Sequence, residues 1–381
     1  MMYYVTVLIA TNYTNSVTAI LYGIPGDASA MMTARNGHKL FLKGFGNLAV
    51  ATNAVSSTIG VVFATMVFIL VLPTIIEVFR FYNSVLQTII VAAAILMITL
   101  LTKQNKLFTI VLFLFGGMIA KVGIDPITFD SFLTFNNSYL AIGIPFVMIC
   151  LYIIRELLKS RDVKLGEQTE INKFGYDSST IPATGIGSFV GFWCGLIPGV
   201  TNILGSYASA NIVKRFFKKP VLKSIAAAEA ANNSGALSSL LPLLILAIPI
   251  TGSEVLIYYI MLEDGFVFNA QNTVKHLESI IYIIPFVTAF CLGLSWYGFN
   301  LLGKIAYLYK QYRTIANILL LSIISIASIS IFAIHEWMII CIFVLSIIGF
   351  LIRRWDTSPV IYGYFLSDLF YENLIRTLII L

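Results

Sequence analysis

Apolar runs separated by short polar loops organise this chain, and their lengths predict helices rather than strands. A helix needs roughly 20 apolar residues to cross the hydrocarbon of a bilayer. Unbroken apolar runs lie near 49–73, 82–101, 107–121, 138–158, 278–303, 315–334, 337–352 and 360–381. Three further stretches, 1–34, 182–213 and 226–262, are similarly apolar but interrupted: glycines at 187, 191, 195 and 199, prolines at 198, 242 and 249, and Glu229, Asn232 and Asn233 fall at apparent membrane depth. Non-helical backbone survives there only where protein buries it or a water-filled cavity faces it. Paired short, Gly/Pro-broken segments point to the substrate site of a secondary transporter. The pattern predicts an all-α polytopic membrane protein of about 10 hydrophobic segments, some broken or re-entrant.

Composition supports that class. Of 381 residues, 59% are hydrophobic and 11% charged, and the mean hydropathy is +0.91, whereas soluble domains carry about 25% charged residues. The Met-Met start lacks a basic n-region and an A-x-A-like site, so no cleavable signal peptide is expected. The net charge of +6 is spread over short loops rather than gathered into a nucleic-acid surface. The basic loops are 35–43, 103–106, 155–173, 214–223, 304–313 and 353–354; the positive-inside rule places them in the cytoplasm. The loops 122–137 and 263–278 lean acidic and go outside, and Arg80 is the exception.

These placements fix directions. Because 155–173 and 214–223 are both basic, the stretch between them leaves the cytoplasm and returns. It has room for two half-helices of roughly 15 residues each at 1.5 Å rise per residue, turning at Pro198-Gly199-Val200-Thr201-Asn202: a re-entrant hairpin over 182–213. Residues 226–262 then run outward with a break at 248–252, and residues 1–34 run inward around Ile24-Pro25-Gly26. Two like segments of opposite direction suggest an inverted repeat. The expected organisation is a first repeat over 1–158, a cytoplasmic linker over 159–181 and a second repeat over 182–381. In letters the repeats share only an I-L-x-x-I-P core.

Half-helix N-termini offer free N–H groups and partial positive charge to an anion. The candidate substrate-binding residues are Pro25, Gly26, Ser29, Gly199, Thr201, Asn202 and Asn233. Candidate cation-site residues are Glu229, Asn232 and Thr251, with Asn233 able to join them, because a hard cation takes oxygen ligands and intramembrane carboxylates are costly. No metal beyond Na⁺ is expected. Each reading has a plainer counterpart. The glycines at i, i+4 spacing serve helix contact in preference to ligand contact. Asn232 and Asn233 either bind or tie neighbouring helices together, and Glu229 is either functional or paired and solvated at the cytoplasmic interface. Asp27 suits a capping role, and Glu254 is expected in solvent.

Three stretches resemble the large membrane subunit of the tripartite tricarboxylate transporters: GSFVGFWCGLIPGVTNILGSYASA, EAANNSGALSSLLPLLILAIP and YGIPGDASAMMTARNGHKLFLKGFGNLAVATNAVSSTIG. The E-A-x-N-N and P-L-L-x-L-x-I-P block is the specific part. The resemblance implies a permease subunit for cation-coupled carboxylate uptake by symport, with Na⁺ or H⁺ as coupling ion and no cofactor. It also implies a small membrane subunit and an extracytoplasmic substrate-binding protein as partners, beside membrane lipid. Ala247 and Ile250 stand where the family has glycine. Its first half normally opens on a re-entrant P-G hairpin, so that hairpin is expected to be missing here, and a truncated or non-transporting scaffold subunit is the alternative.

Enzyme and channel readings fare worse. No G-x-S-x-G elbow occurs, His335-Glu336 lacks the second histidine of a zinc-hydrolase helix, and the histidines at 38, 276 and 335 are expected on loops far apart. Cysteines 150, 194, 291 and 341 show neither metal nor disulfide spacing and are expected in the core. No repeated filter motif suggests a channel.

Overall fold

The computed structural model describes residues 2–79, 84–101, 104–124, 131–132, 175–197, 202–218, 220–246, 264–312 and 337–352, with scattered single residues and pairs between 254 and 364. The expected segments at 138–158 and 360–381 lie wholly or largely outside these, as do most of 315–334 and the break at 248–252.

Helices α1 (Met2–Tyr22) and α2 (Met31–Leu42) flank the first break. Gly23 ends α1 with φ +75°, and its N–H bonds Ala19. A side chain there would meet the His38 ring. Asp27 caps the short 3-10 helix Ala28–Ala30, as its sequence position suggests. Gly44 closes α2: its N–H reaches Phe41 and that of Phe45 reaches Leu40, the paired bonds of a Schellman end. Next come α3 (Gly46–Phe79, with Pro73 inside), α4 (Ser84–Leu101) and α5 (Lys106–Ala120), which Asn105 caps through Leu107 and Phe108.

The second broken region forms α6 (Ile181–Leu196) and α7 (Asn202–Phe216). Then follow α8 (Pro220–Ser238), α9 (Leu240–Leu246), α10 (Ala270–Gln311) and α11 (Trp337–Leu351). The joint between α8 and α9 is a break the sequence reading did not place. Pro242 explains it, since proline has no N–H to give the Ser238 carbonyl. The fold is helical, but a two-residue antiparallel pair, β1 (Gly123–Ile124) with β2 (Ser131–Phe132), departs from a purely α reading. Among the described residues, Gly46–Glu77 is the one single helix long and apolar enough to cross a membrane; the bent pair Ala270–His276 and Ser279–Ser295 qualifies if counted as one span.

The chain divides into two compact units. One comprises Met1–Leu101, Gly166–Gly303 and Asn373–Leu381, the other Thr102–Leu165 and Lys304–Glu372. In the second, Leu112 and Ile119 of α5 join Leu345 and Val360 in a core. Gly116 faces the Val360 carbonyl there, and Gly363 faces that of Phe113. In the first, Val5, Ile9 and Tyr13 of α1, Phe68 and Leu72 of α3, Phe192 of α6 and Ile284 of α10 share one core. Cys194 and Cys291 are buried free thiols, while Cys150 and Cys341 lie outside the residues whose side chains are described. His38 and His276 stand within α2 and α10 rather than on loops.

The first unit is built around α8, whose residues Ser224–Ser238 are all buried. Gly187, Gly191 and Gly195 of α6 face Ala227, Ala231 and Gly235 of α8 in step, so the two helices run parallel with backbones touching. This is the small-residue contact that the i, i+4 spacing predicts. Ser234 and Ser238 reinforce it by donating to the Ser188 and Phe192 carbonyls at 2.7 and 2.8 Å. Helix α7 runs the other way: Asn202 meets Asn232, Ser206 donates to Ala228 and Ser209 to Ala227. Ser56–Thr184 and Phe63–Phe192 contacts advance together, so α3 runs parallel to α6. The helices that follow the three basic loops 35–43, 155–173 and 214–223 therefore share one direction, as the charge placement requires.

Asp177 starts the second broken region by capping the 3-10 helix Ser178–Thr180 ahead of α6. The Ser179 N–H, 2.9 Å away, holds its carboxyl below the usual aspartate range. Because the folded value is depressed, the cap stabilises above the unfolded value of about 4 and fades as pH falls through the folded one. Amide protection at Ser179 is expected to drop on acidification below about pH 4. Protection that stays constant down to pH 2 would remove the carboxylate from that role.

Candidate functional site

The middle of α8 carries three polar side chains among alanines, and each is drawn to a different neighbour. Glu229 is 1% exposed. Its Oε2 accepts from Ser16 Oγ of α1 at 2.6 Å, and its Oε1 accepts from Thr33 Oγ1 of α2. It is therefore buried, with both carboxylate oxygens held by hydroxyls of other helices. Asn202, the first residue of α7, donates to Asn232 Oδ1 at 2.7 Å. Asn233 donates from Nδ2 to Ser57 Oγ of α3 at 2.9 Å and to the Glu229 carbonyl at 3.1 Å.

For Asn233 these bonds decide which atom stays free. A main-chain carbonyl only accepts, so the NH₂ of Asn233 must face Glu229, and its Oδ1 is buried with no partner among the described residues. Asn232 has the opposite outcome, with a partnerless Nδ2. Asn233 presents an acceptor, which suits a cation, and Asn232 presents a donor, which suits a carboxylate.

The first break converges on the same stretch. Ser29, in the 3-10 helix after the break, donates both its N–H and its hydroxyl to Asp27 at 3.1 and 3.0 Å, so these groups serve the local turn. Pro25 is buried and Gly26 exposed. A Cβ at Gly26 would meet Asn15 Oδ1 of α1 at 2.5 Å, the end of a side chain that can turn aside. Gly199, Thr201 and Thr251 lie outside the described residues.

Sequence reasoning missed several contributors. Ser16, Thr33 and Ser57 sit in helices far from Glu229 and Asn233 along the chain, and a lone hydroxyl in an apolar helix carries no signal of its own. The run Thr-Asn-Ala-Val-Ser-Ser at 52–57 did carry one, since four polar residues in an otherwise apolar helix imply a polar neighbour. Glu254, expected in solvent, is 2% exposed and accepts from Ser239 Oγ at 2.6 Å. The α8–α9 joint supplies that donor.

Apolar surface completes the picture. Tyr282, Phe286, Phe290, Leu294, Tyr297 and Leu301 form an exposed stripe along α10, and Tyr297 is 81% exposed. Soluble monomers rarely show so continuous an apolar face.

The family model described as "Tripartite tricarboxylate transporter TctA family" matches residues 1–362, and the chain belongs to that family of membrane transporters. Family members work in tripartite systems with partner subunits. The chain is similar to two proteins of Agrobacterium vitis. One, named "Uncharacterized 52.8 kDa protein in TAR-I ttuC' 3'region", is 27% identical over 393 residues, covering 97% of this chain and 76% of that protein. The other, "Uncharacterized protein in TAR-II ttuC' 3'region", is 28% identical over 202 residues, covering 49% of this chain and 80% of that protein. No solved structure matches.

Proposed function

We propose that this chain is the polytopic large permease subunit of a cation-coupled, binding-protein-dependent uptake system for tricarboxylates or dicarboxylates in the bacterial inner membrane. The observation that carries the reading is the convergence on mid-α8: the two-hydroxyl grip on Glu229, the Asn202–Asn232 pair at the start of α7, and the Asn233 carbonyl oxygen kept free. Donors at Asn232 and at the N-terminus of α7 receive the carboxylate. Acceptors at Asn233 and Glu229 serve Na⁺ or H⁺. Pro25 and Gly26 shape the opposing turn, and Thr251 joins the cation side. The inverted-repeat division into 1–158 and 182–381, joined by 159–181, belongs to the same proposal, as do the re-entrant nature of 182–213, the small membrane subunit and the extracytoplasmic binding protein.

The test is uptake of labelled citrate and succinate into liposomes holding this chain with its partner subunits, under an imposed Na⁺ or pH gradient. Asn232→Ala is expected to lower uptake about tenfold, the loss of roughly one hydrogen bond to a charged group. Absence of gradient-driven uptake in the wild type would leave a scaffold role instead.

A further inference from the structure

Helix α3 carries a polar stripe of which the roles above use only Ser57, as a partner of Asn233. Thr52, Asn53, Ser56 and Ser57 are all fully buried, and Ser56 is spent on Thr184 of α6 at 3.1 Å. Asn53 and Ser57 instead continue the bonds that begin at Glu229. The Glu229 carbonyl accepts from Asn233 Nδ2, which also donates to Ser57 Oγ. Ser57, having accepted, has one hydroxyl hydrogen to give, and it goes to Asn53 Oδ1 at 3.3 Å. The first step has its direction set by a carbonyl that cannot donate, and the next is the Ser57 hydroxyl donating to Asn53 Oδ1. With Oδ1 engaged by Ser57, the NH₂ of Asn53 is its free end, and that Nδ2 is buried with no partner among the described residues. Native interiors rarely leave such a group unmatched, because an unmet buried donor costs its full desolvation. Its chemistry is that of two N–H donors, matched by an oxygen acceptor.

We propose that Asn53 is a further ligand-binding residue of this carrier, donating through Nδ2 to a carboxylate oxygen of the transported anion, with Ser57 as the positioning residue that holds the amide in that orientation. The inference rests on the carboxylate reading above and adds α3 as an arm of the site beside α7 and α8. It separates donors from acceptors: Asn53 and Asn232 face the anion with nitrogen, and Asn233 faces the cation with oxygen.

The experiment measures citrate, succinate and malate uptake, and the rise in melting temperature each ligand causes, for wild type, Asn53→Ala, Ser57→Ala and Ser57→Thr in lipid nanodiscs and liposomes. Asn53→Ala is expected to raise the KM for the anion at least tenfold and to abolish the ligand-induced rise in melting temperature, while the Na⁺ concentration for half-maximal uptake stays within twofold. Ser57→Ala raises KM less, and Ser57→Thr, which keeps the hydroxyl, restores it. An Asn53→Ala protein with wild-type KM and a wild-type ligand-induced rise overturns the proposal. If wild type responds to none of the three anions, the carrier reading fails, and the inference is judged on ligand-free protein alone. Asn53→Ala melting at or above wild type then keeps Asn53 as a donor held for an oxygen-bearing ligand. Melting clearly below wild type makes it a structural residue.

Discussion

Glu229→Gln is expected to leave a folded protein that no longer accumulates carboxylate against a gradient, and Glu229→Leu to lose both transport and stability. The two variants separate charge from packing. In the wild type both carboxylate oxygens accept hydroxyl hydrogens, from Ser16 and Thr33. Glutamine keeps one acceptor oxygen and gives its NH₂ to the other hydroxyl, which can turn and accept. Leucine strands both hydroxyls in a space closed to water. Ser16 can retreat to the carbonyl one turn back in α1, and Thr33 to the 3-10 turn that precedes α2, which limits the cost to about 1–3 kcal/mol in all. Gradient-driven uptake at the wild-type rate by Glu229→Gln, with unchanged cation dependence, would sink the coupling role and leave Glu229 a structural residue.

The second large effect is expected at Gly191. A Cβ added there would run into the carbonyl oxygen, Cα and carbonyl carbon of Ala231, all backbone. Gly205 of α7 approaches from the other side, its own added Cβ lying 3.1 Å from the Gly191 Cα. No rotamer relieves a clash with main chain, so α6 and α8 must separate. Gly191→Leu is expected to cost about 3 kcal/mol or more and to remove folded protein from the membrane fraction. Gly185, in the same helix with nothing within 4 Å of its added Cβ, is the internal control. Gly185→Ala is expected to be neutral or to stabilise by about 0.5–1 kcal/mol through helix propensity. Equal losses at both positions, read by size-exclusion profile and thermal melt, would refute the backbone-contact account.

These two positions also show what could be read in advance. The glycine ladder of α6 was legible because its period matches one helix face, and a row of missing side chains has few uses other than close approach. The breaks beside Gly23 and Pro198 were legible from residues that end helices. Loop charges gave the common direction of α3, α6 and α8, since basic residues record which end of a helix stays behind. The partners of Glu229 were not legible. Ser16 and Thr33 are ordinary helix residues until two distant segments are folded against α8, and nothing in their local sequence differs from a hydroxyl that bonds its own backbone. The orientation of Asn233 was hidden for a related reason: an amide reads the same in either direction, and only its surroundings choose which end is spent. Glu254 shows the converse error. Its place near a segment's end suggested water, but the α8–α9 joint supplied a hydroxyl that made burial tolerable.

Helix α8 has two unlike faces. Toward α6 it is interlocked main chain against main chain, a fit that tolerates neither sliding nor rotation. Toward α1 and α2 the polar links run side chain to side chain: two hydroxyls on the Glu229 carboxylate and the Asn36 amide on Ser224 Oγ. The interlocked pair is expected to move as one body, so that any displacement within this unit falls at the side-chain contacts with α1 and α2.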